Sequence, residues 1–167
     1  ELLFSEYRAS HDIMTGLWNK TSGMDQVRNC LENMLENDAA VLGFVDIDNF
    51  KSVNDTYGHG TGDFWIREIA AALQEMCGSS DIACRYGGDE FIIVIESCSR
   101  YELENIAKDI YARIAEADGF SCQIKKYLNH DVEFNEEKNI TCSIGISYER
   151  NVTSESQITE LIKKADD

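Results

Sequence analysis

The chain has 167 residues, enough for one domain with a substantial core, and its 43% hydrophobic and 10% aromatic content is that of an ordinary globular protein. Its 31 acids against 15 bases give a net charge of −16, and no Lys/Arg cluster builds the basic face that nucleic acid or an anionic membrane surface would need. No apolar run approaches the ~20 residues that span a bilayer, so the anionic partner left open is a small phosphorylated ligand held through a divalent cation.

Glu1 to Ser10 has helical composition and reads as the end of an upstream connector. With neither an initiator Met nor the basic flank of a signal peptide, the chain is expected to belong to a larger protein. From Ser22 to Asn37, apolar residues at Met24, Val27, Leu31, Met34 and Leu35 predict a helix. Ala39 to Asp46 is a continuous apolar run ending in an acid, the pattern of a buried central strand. A second helix is predicted over Asp63 to Cys77, with Ile66, Ile69, Ala70 and Leu73 inward.

Asp81 to Arg85 and Phe91 to Ile95 read as short strands, and Gly87-Gly88 between them predicts a hairpin, because glycine reaches the positive φ of a tight turn. Ser99-Arg100-Tyr101-Glu102 matches a capping box and opens a helix to about Ala117. Residues 119–139 are polar and charged, either a hairpin with a minor strand near Gln123 or an irregular loop. Ile140 to Tyr148 predicts another strand, and Ser154 starts a helix that continues to Asp167. The order α-β-α-β-β-α-β-α predicts an α/β (α+β) domain with one mixed sheet flanked by helices.

The six cysteines form no Cys-x-x-Cys pair and no zinc spacing. Cys30, Cys84 and Cys142 fall in apolar stretches as small hydrophobes, so a reduced, cytoplasmic setting is expected.

Two stretches carry chemistry. In Arg85-Tyr86-Gly87-Gly88-Asp89-Glu90-Phe91, two acids follow glycines that leave the backbone open to a bulky anion. Taken alone, this run reads equally well as a solvated acidic turn. In Asp46 to Asp63, Asp46 closes an apolar strand, where a bare carboxylate is costly unless paired or bound to metal. If that strand lies beside the hairpin, Asp46 could face Asp89, and carboxylates from adjacent strands commonly hold Mg²⁺ while leaving positions for phosphates and water. Lys51 adds a positive charge one turn later, and Gly58, Gly60 and Gly62 leave room beside the next helix.

With these motifs in order the chain resembles the GGDEF family, the diguanylate cyclases, whose catalytic domain is related in fold to adenylyl cyclases and polymerase palm domains. Asp12-Ile13-Met14-Thr15-Gly16-Leu17-Trp18-Asn19-Lys20 is similar to the family's Asp-x-Leu-Thr-Gly-Leu-x-Asn-Arg motif. Asp46 to Asp63 matches its substrate motif, Arg85 to Phe91 its signature, and Ile140 to Ile146 the strand that follows. The resemblance implies a mainly antiparallel central sheet, a connector over 1–10 and a GGDEF domain over 11–167.

It also implies roles. Asp46 and Asp89, with the Ile47 carbonyl, would be the ligands of Mg²⁺ or Mn²⁺. Glu90 is a candidate base for an attacking ribose hydroxyl, with Asp89 the alternative, so the pair is assigned jointly. Asn54 and Asp63 match the guanine-reading residues: a carboxylate accepts from guanine N1–H and N2–H₂, and an amide both donates and accepts. Each has a plainer reading, as a turn residue for Asn54 and a helix N-cap for Asp63 or Asp46. Lys51 would lie near the phosphates, pair with the signature acids or stay solvated. The amides of Asn49, Phe50 and Lys51 would cradle phosphate oxygens at a helix start, and Gly87 and Gly88 would leave the hairpin open to substrate. His59 would sit near the base-binding loop, and Arg85 would buttress the hairpin.

The implied reaction joins two GTP into cyclic di-3′,5′-guanylate, the 3′-hydroxyl of each attacking the α-phosphorus of the other. Each domain of this family holds one GTP, so turnover implies a homodimer, normally driven by an N-terminal sensory domain, in the cytoplasm or attached to a membrane-bound sensor. The rival is a GTP- or cyclic-dinucleotide-binding regulatory module without turnover, and Asp63 disfavours adenine-containing products. Two departures stand out. The family's inhibitory Arg-x-x-Asp is here Gly78-Ser79-Ser80-Asp81, so strong product inhibition through that site is not expected. The final motif, Ala-Asp followed by Ala-Leu-Tyr-x-Ala-Lys, stops at Ala165-Asp166-Asp167, and a fragment lacking its cations is expected to be weakened.

Overall fold

A computed structural model of the chain describes residues 2–34, 39–96, 101, 105, 108, 112, 142–150 and 154–167. The elements are α1 (Leu2–Ser10), α2 (Lys20–Glu32), β1 (Ala39–Ile47), α3 (Phe50–Tyr57), α4 (His59–Met76), β2 (Ile82–Arg85), β3 (Glu90–Glu96), β4 (Cys142–Arg150) and α5 (Glu155–Asp166). The strands form one sheet in the order β2-β3-β1-β4, each pairing antiparallel. This is the expected helix-flanked, mainly antiparallel sheet. The parallel pairing among the described residues is an isolated bridge between Trp18 and Cys84, where the segment before α2 runs along β2.

Two-residue alternation sorts the strands into two cores. Val45, Ile47, Phe91, Ile93 and Ile95 point to the side covered by Trp65, Ile66, Ile69 and Leu73 of α4. Leu42, Phe44, Ile92 and Val94 point to the other, against Val27 and Leu31 of α2 and Ile158 and Leu161 of α5. With both faces covered, β1 reads as an unbroken apolar run and sits inside the sheet.

Several boundaries differ from expectation. Asn19 caps α2, its side chain accepting from the Ser22 amide at 2.9 Å, so the helix starts before Ser22 and ends at Glu32; residues 35–37 of the predicted helix lie outside the described residues. The predicted order lacks α3, an eight-residue helix that buries Val53 and packs Phe50 and Tyr57 partly against the core. Gly58, at φ +87°, separates it from α4, which begins at His59. Asp63 therefore lies inside α4 and is not its N-cap.

At the hairpin the reason for the glycines changes. Neither Gly87 nor Gly88 has positive φ. Instead, a side chain at Gly87 would run into the Glu90 carboxylate, meeting its Cδ at 3.1 Å, while the Glu90 carbonyl accepts from the Tyr86 and Gly87 amides at 2.8 and 3.1 Å. Glu90 is already the first residue of β3.

Of the helix predicted over 99–117, residues 101, 105, 108 and 112 are described and helical. The remainder, together with 119–139 and the strand suggested near Gln123, lies outside the described residues. β4 is described over Cys142–Arg150 and continues past the predicted end at Tyr148, residues 140 and 141 lying outside the described residues, and Ser154 with Gln157 forms a full capping box for α5. α1 buries no residue and is tied down by a ring stack of Tyr7 on His11 at 4.1 Å and His11 on Trp18 at 4.3 Å. No described helix is long and apolar enough to cross a membrane.

Candidate functional site

Antiparallel pairing brings the acids together. The register sets Asp46 opposite Glu90 on β3 and opposite Ser143 on β4. One residue on, the Ile47 amide donates to the Asp89 carbonyl at 3.1 Å, locking the hairpin tip to the end of β1. Asp46, Ile47, Asp89 and Glu90 thus share one end of the sheet.

The electrostatics are one-sided. Burial, followed by the charges of Asp89, Glu90, Asp48 and Asp166, pushes the Asp46 carboxyl above its ordinary range, and none of these charges is positive. A divalent cation is the chemical complement of such a set, and carboxylate and carbonyl oxygens are the donors hard cations prefer. Among the described residues no three His, Cys, Asp or Glu side chains enclose a metal position. An open set fits Mg²⁺, which keeps several ligand places for water and phosphate oxygens.

Three members of the cluster were not read from the sequence. Asp48 accepts a 2.6 Å hydrogen bond from Ser143 Oγ, which ties the loop after β1 to β4. Asp166 arrives because α5 presses onto the sheet at Gly145, where a Cβ would collide with the Ala165 carbonyl and lie 3.3 Å from its Cα. The Asp-x-Asp spacing could have pointed to Asp48; nothing local points to Ser143 or Asp166.

Arg85 behaves as the expected buttress. Its Nη2 donates to the Gly88 carbonyl at 2.7 Å, and Nη1 reaches both Asp12 carboxylate oxygens at 3.2 Å. Asp12 also accepts from the Thr15 amide and hydroxyl at 3.0 and 2.8 Å. The first motif and the signature are therefore one clamp, with Arg85 15% and Asp12 23% exposed.

On the α3–α4 side, Asn49 takes the left-handed conformation (φ 55°) and turns the chain into α3. Phe50, Asn54 and Asp63 are half-buried, whereas Lys51 and His59 are exposed. Asn54 of α3 lies against Gly62 of α4, directly before Asp63, so the two base-reading candidates sit on neighbouring helices. Lys51 forms no ion pair among the described residues, leaving the expected pairing with the signature acids unmade. At the hairpin, Gly88 has open space where a Cβ would stand.

In the turn at Gly78 to Asp81, Asp81 Oδ2 accepts from the Gly78 amide at 2.6 Å. This turn borders a cavity of about 200 Å³ lined in part by His11, Trp18, Gln74 and Asp81, with no Arg or Lys among the described residues around it. Burial pushes the Cys77, Cys84 and Cys142 thiols up to about 12.

Comparison with known proteins agrees with this layout. The family profile described as "Diguanylate cyclase, GGDEF domain" matches residues 9–167. The probable diguanylate cyclase DgcE of Escherichia coli is 38% identical over 109 residues, covering 65% of this chain and 10% of that protein. The cyclic di-GMP phosphodiesterase PdeR of the same organism is 34% identical over 106 residues, covering 64% of this chain and 16% of that protein. The chain thus spans only a small part of these relatives. Among solved structures, the GGDEF domain of DgcB from Caulobacter crescentus in complex with c-di-GMP superposes with TM-score 0.74 at 26% identity, covering 95% of this chain and 86% of that one.

Proposed function

This chain belongs to the GGDEF family of diguanylate cyclase domains, and from that premise we propose that it condenses two GTP into cyclic di-3′,5′-guanylate, releasing pyrophosphate. The observation that carries the reading is the strand register that sets Asp46 against Glu90 and ties Ile47 to Asp89.

Asp46, Asp89 and the Ile47 carbonyl would hold Mg²⁺ or Mn²⁺. Bound there, such an ion neutralises the charge that develops on the phosphates. The protein's own groups do the rest. Glu90, jointly with Asp89, takes the proton of the attacking 3′-hydroxyl. Asp63 accepts from guanine N1–H and N2–H₂, and the Asn54 carboxamide completes the base contact. Lys51 and the first amides of α3, including that of Phe50, face the phosphates, with Gly87 and Gly88 leaving the hairpin backbone approachable. His59 borders the base-binding loop. Because each domain holds one GTP, turnover requires a second copy of the domain, brought into place by a sensory region upstream in a cytoplasmic setting. The Gly78–Asp81 turn lacks the arginine for a phosphate, so the product inhibits weakly there.

A regulatory module that binds nucleotide without turnover is the second reading, favoured by the similarity to a relative named as a phosphodiesterase. The test incubates protein carrying a complete C-terminus and a forced-dimer N-terminus with GTP and Mg²⁺. Formation of cyclic diguanylate is expected; its absence with GTP binding retained leaves the module reading standing instead.

A further inference from the structure

Gly62 lies buried in the first turns of α4 and has no Cβ for a specific reason. A methyl group there would strike Asn54 Oδ1, lie 2.9 Å from Asn54 Cγ and meet Phe50 Cε2 at 3.0 Å. Asn54 Oδ1 is itself buried and finds no hydrogen-bond donor among the described residues. Buried polar atoms without partners are rare and call for an explanation. Here the oxygen packs against the bare Cα of residue 62, where a weak C–H···O contact is all the backbone can offer. That contact, with the Phe50 ring beside it, fixes the plane of the carboxamide. By the covalent geometry of an amide, its other end then points away from α4's backbone.

We propose that Gly62 is a positioning residue for nucleobase choice: the missing side chain is what lets Asn54 hold its carboxamide at the angle that, with Asp63 next along the helix, selects guanine. The inference rests on the reading of Asn54 and Asp63 as the base contacts, and it goes beyond that reading by assigning the selectivity to a residue that never touches the ligand. A site built on hydrogen bonds to a base discriminates through their geometry, so a displaced amide relaxes the choice without abolishing binding. Of the proposed phosphate contacts only Phe50 meets the added methyl, and it does so through its ring rather than its amide.

The test compares Gly62→Ala, Asn54→Ala and the double variant with the wild type, measuring GTP and ATP affinities in Mg²⁺ by fluorescence competition, with thermal melting alongside. Asn54→Ala is expected to lower the GTP-over-ATP ratio about tenfold, the scale of one lost hydrogen bond in a site that needs it. Gly62→Ala is expected to lower the ratio similarly, leave ATP affinity unchanged and reduce the melting temperature. The double variant should match Asn54→Ala in selectivity and recover most of the melting temperature, because the colliding amide is gone and only the close contact with the Phe50 ring remains. Should Gly62→Ala alone not fold, the double variant decides: equality with Asn54→Ala supports the inference, and a further loss of selectivity overturns it. A wild-type ratio in Gly62→Ala, with the ratio lost in Asn54→Ala, overturns the role of Gly62 while the base assignment survives. An unchanged ratio in Asn54→Ala overturns both.

Discussion

Replacing Asp46 by Asn keeps the side chain's shape and removes the charge that its neighbours oppose. Like charges directly opposite on paired strands cost up to about 1 kcal/mol. Asp46 faces Glu90 in that way and also feels Asp89, Asp48 and Asp166. Because Asp46 is only half-buried, solvent screening holds the total near that figure. For a domain of this size a gain of about 1 kcal/mol raises the melting temperature by about 2–4 °C. In chelator at pH 7, Asp46→Asn is therefore expected to melt above the wild type.

The pH dependence has a definite sign. The folded pKa of Asp46 is raised, so its contribution is fully present below the ordinary carboxylate value of 3.8 and is lost as pH rises through the folded pKa. Asp46→Asn flattens that part of the profile. Mg²⁺ or Mn²⁺ is expected to reverse the ranking, stabilising the wild type by mass action and leaving the variant nearly unmoved. Scanning calorimetry from pH 3 to 8, with and without the metal, reads both effects. A variant that melts lower than wild type in chelator, or one that gains as much from Mg²⁺, would refute the reasoning.

Arg85→Ala removes the charge-assisted contacts to Asp12 and the Gly88 carbonyl and should cost about 2–3 kcal/mol, with Arg85→Lys recovering little because an ammonium cannot fork between them; full recovery by Lys in a melting experiment would exclude a two-point clamp. Gly145→Ala drives a methyl into the Ala165 carbonyl, and a loss of about 1–3 kcal/mol with fraying of α5 is expected by circular dichroism, whereas an unchanged melt would mean that the helix end is loosely seated. Cys84 and Cys142, buried and with thiols pushed up to about 12, should resist iodoacetamide at pH 8 in the native protein and react once it is denatured. Rapid native labelling of either, located by peptide mass spectrometry, would contradict their burial.

What could be read in advance followed from local pattern. The apolar run of β1 and the two short strands around the signature were visible because burial on both faces leaves continuous hydrophobic stretches. α3 was read only as a helix start at Asn49 to Lys51, because its eight residues give the apolar pattern barely two turns to repeat. Glycines 58, 60 and 62 read as leaving room beside the next helix; Gly60 and Gly62 in fact lie inside α4, and Gly62 gives its space to Asn54. Gly87 shows the same lesson at the hairpin, since its φ is ordinary and its lack of a side chain serves Glu90. The pairing of Asp46 with the signature was legible once the strands were taken as neighbours, although the register sets Glu90 rather than Asp89 directly opposite it. Asp166 was not, because its place depends on how α5 lies across β4. Asp12 stood out only as part of a motif, and its partner Arg85 lies 73 residues further along the chain.

The N-terminal helix has a mechanical consequence. α1 contributes nothing to either core, and its attachments are the Tyr7–His11–Trp18 rings and a few hydrogen bonds, among them Asn19 Nδ2 to the Ala9 carbonyl at 2.8 Å. Each ring contact is worth about 0.5–1.5 kcal/mol, so releasing the whole joint costs a few kcal/mol, against the 5–15 kcal/mol that typically holds a domain folded. α1 is thus the compliant part and the sheet the stiff one. A torque on α1 is spent first at the stacked rings, one residue before the Asp12 that grips Arg85, while the strand register behind the acids stays as it is.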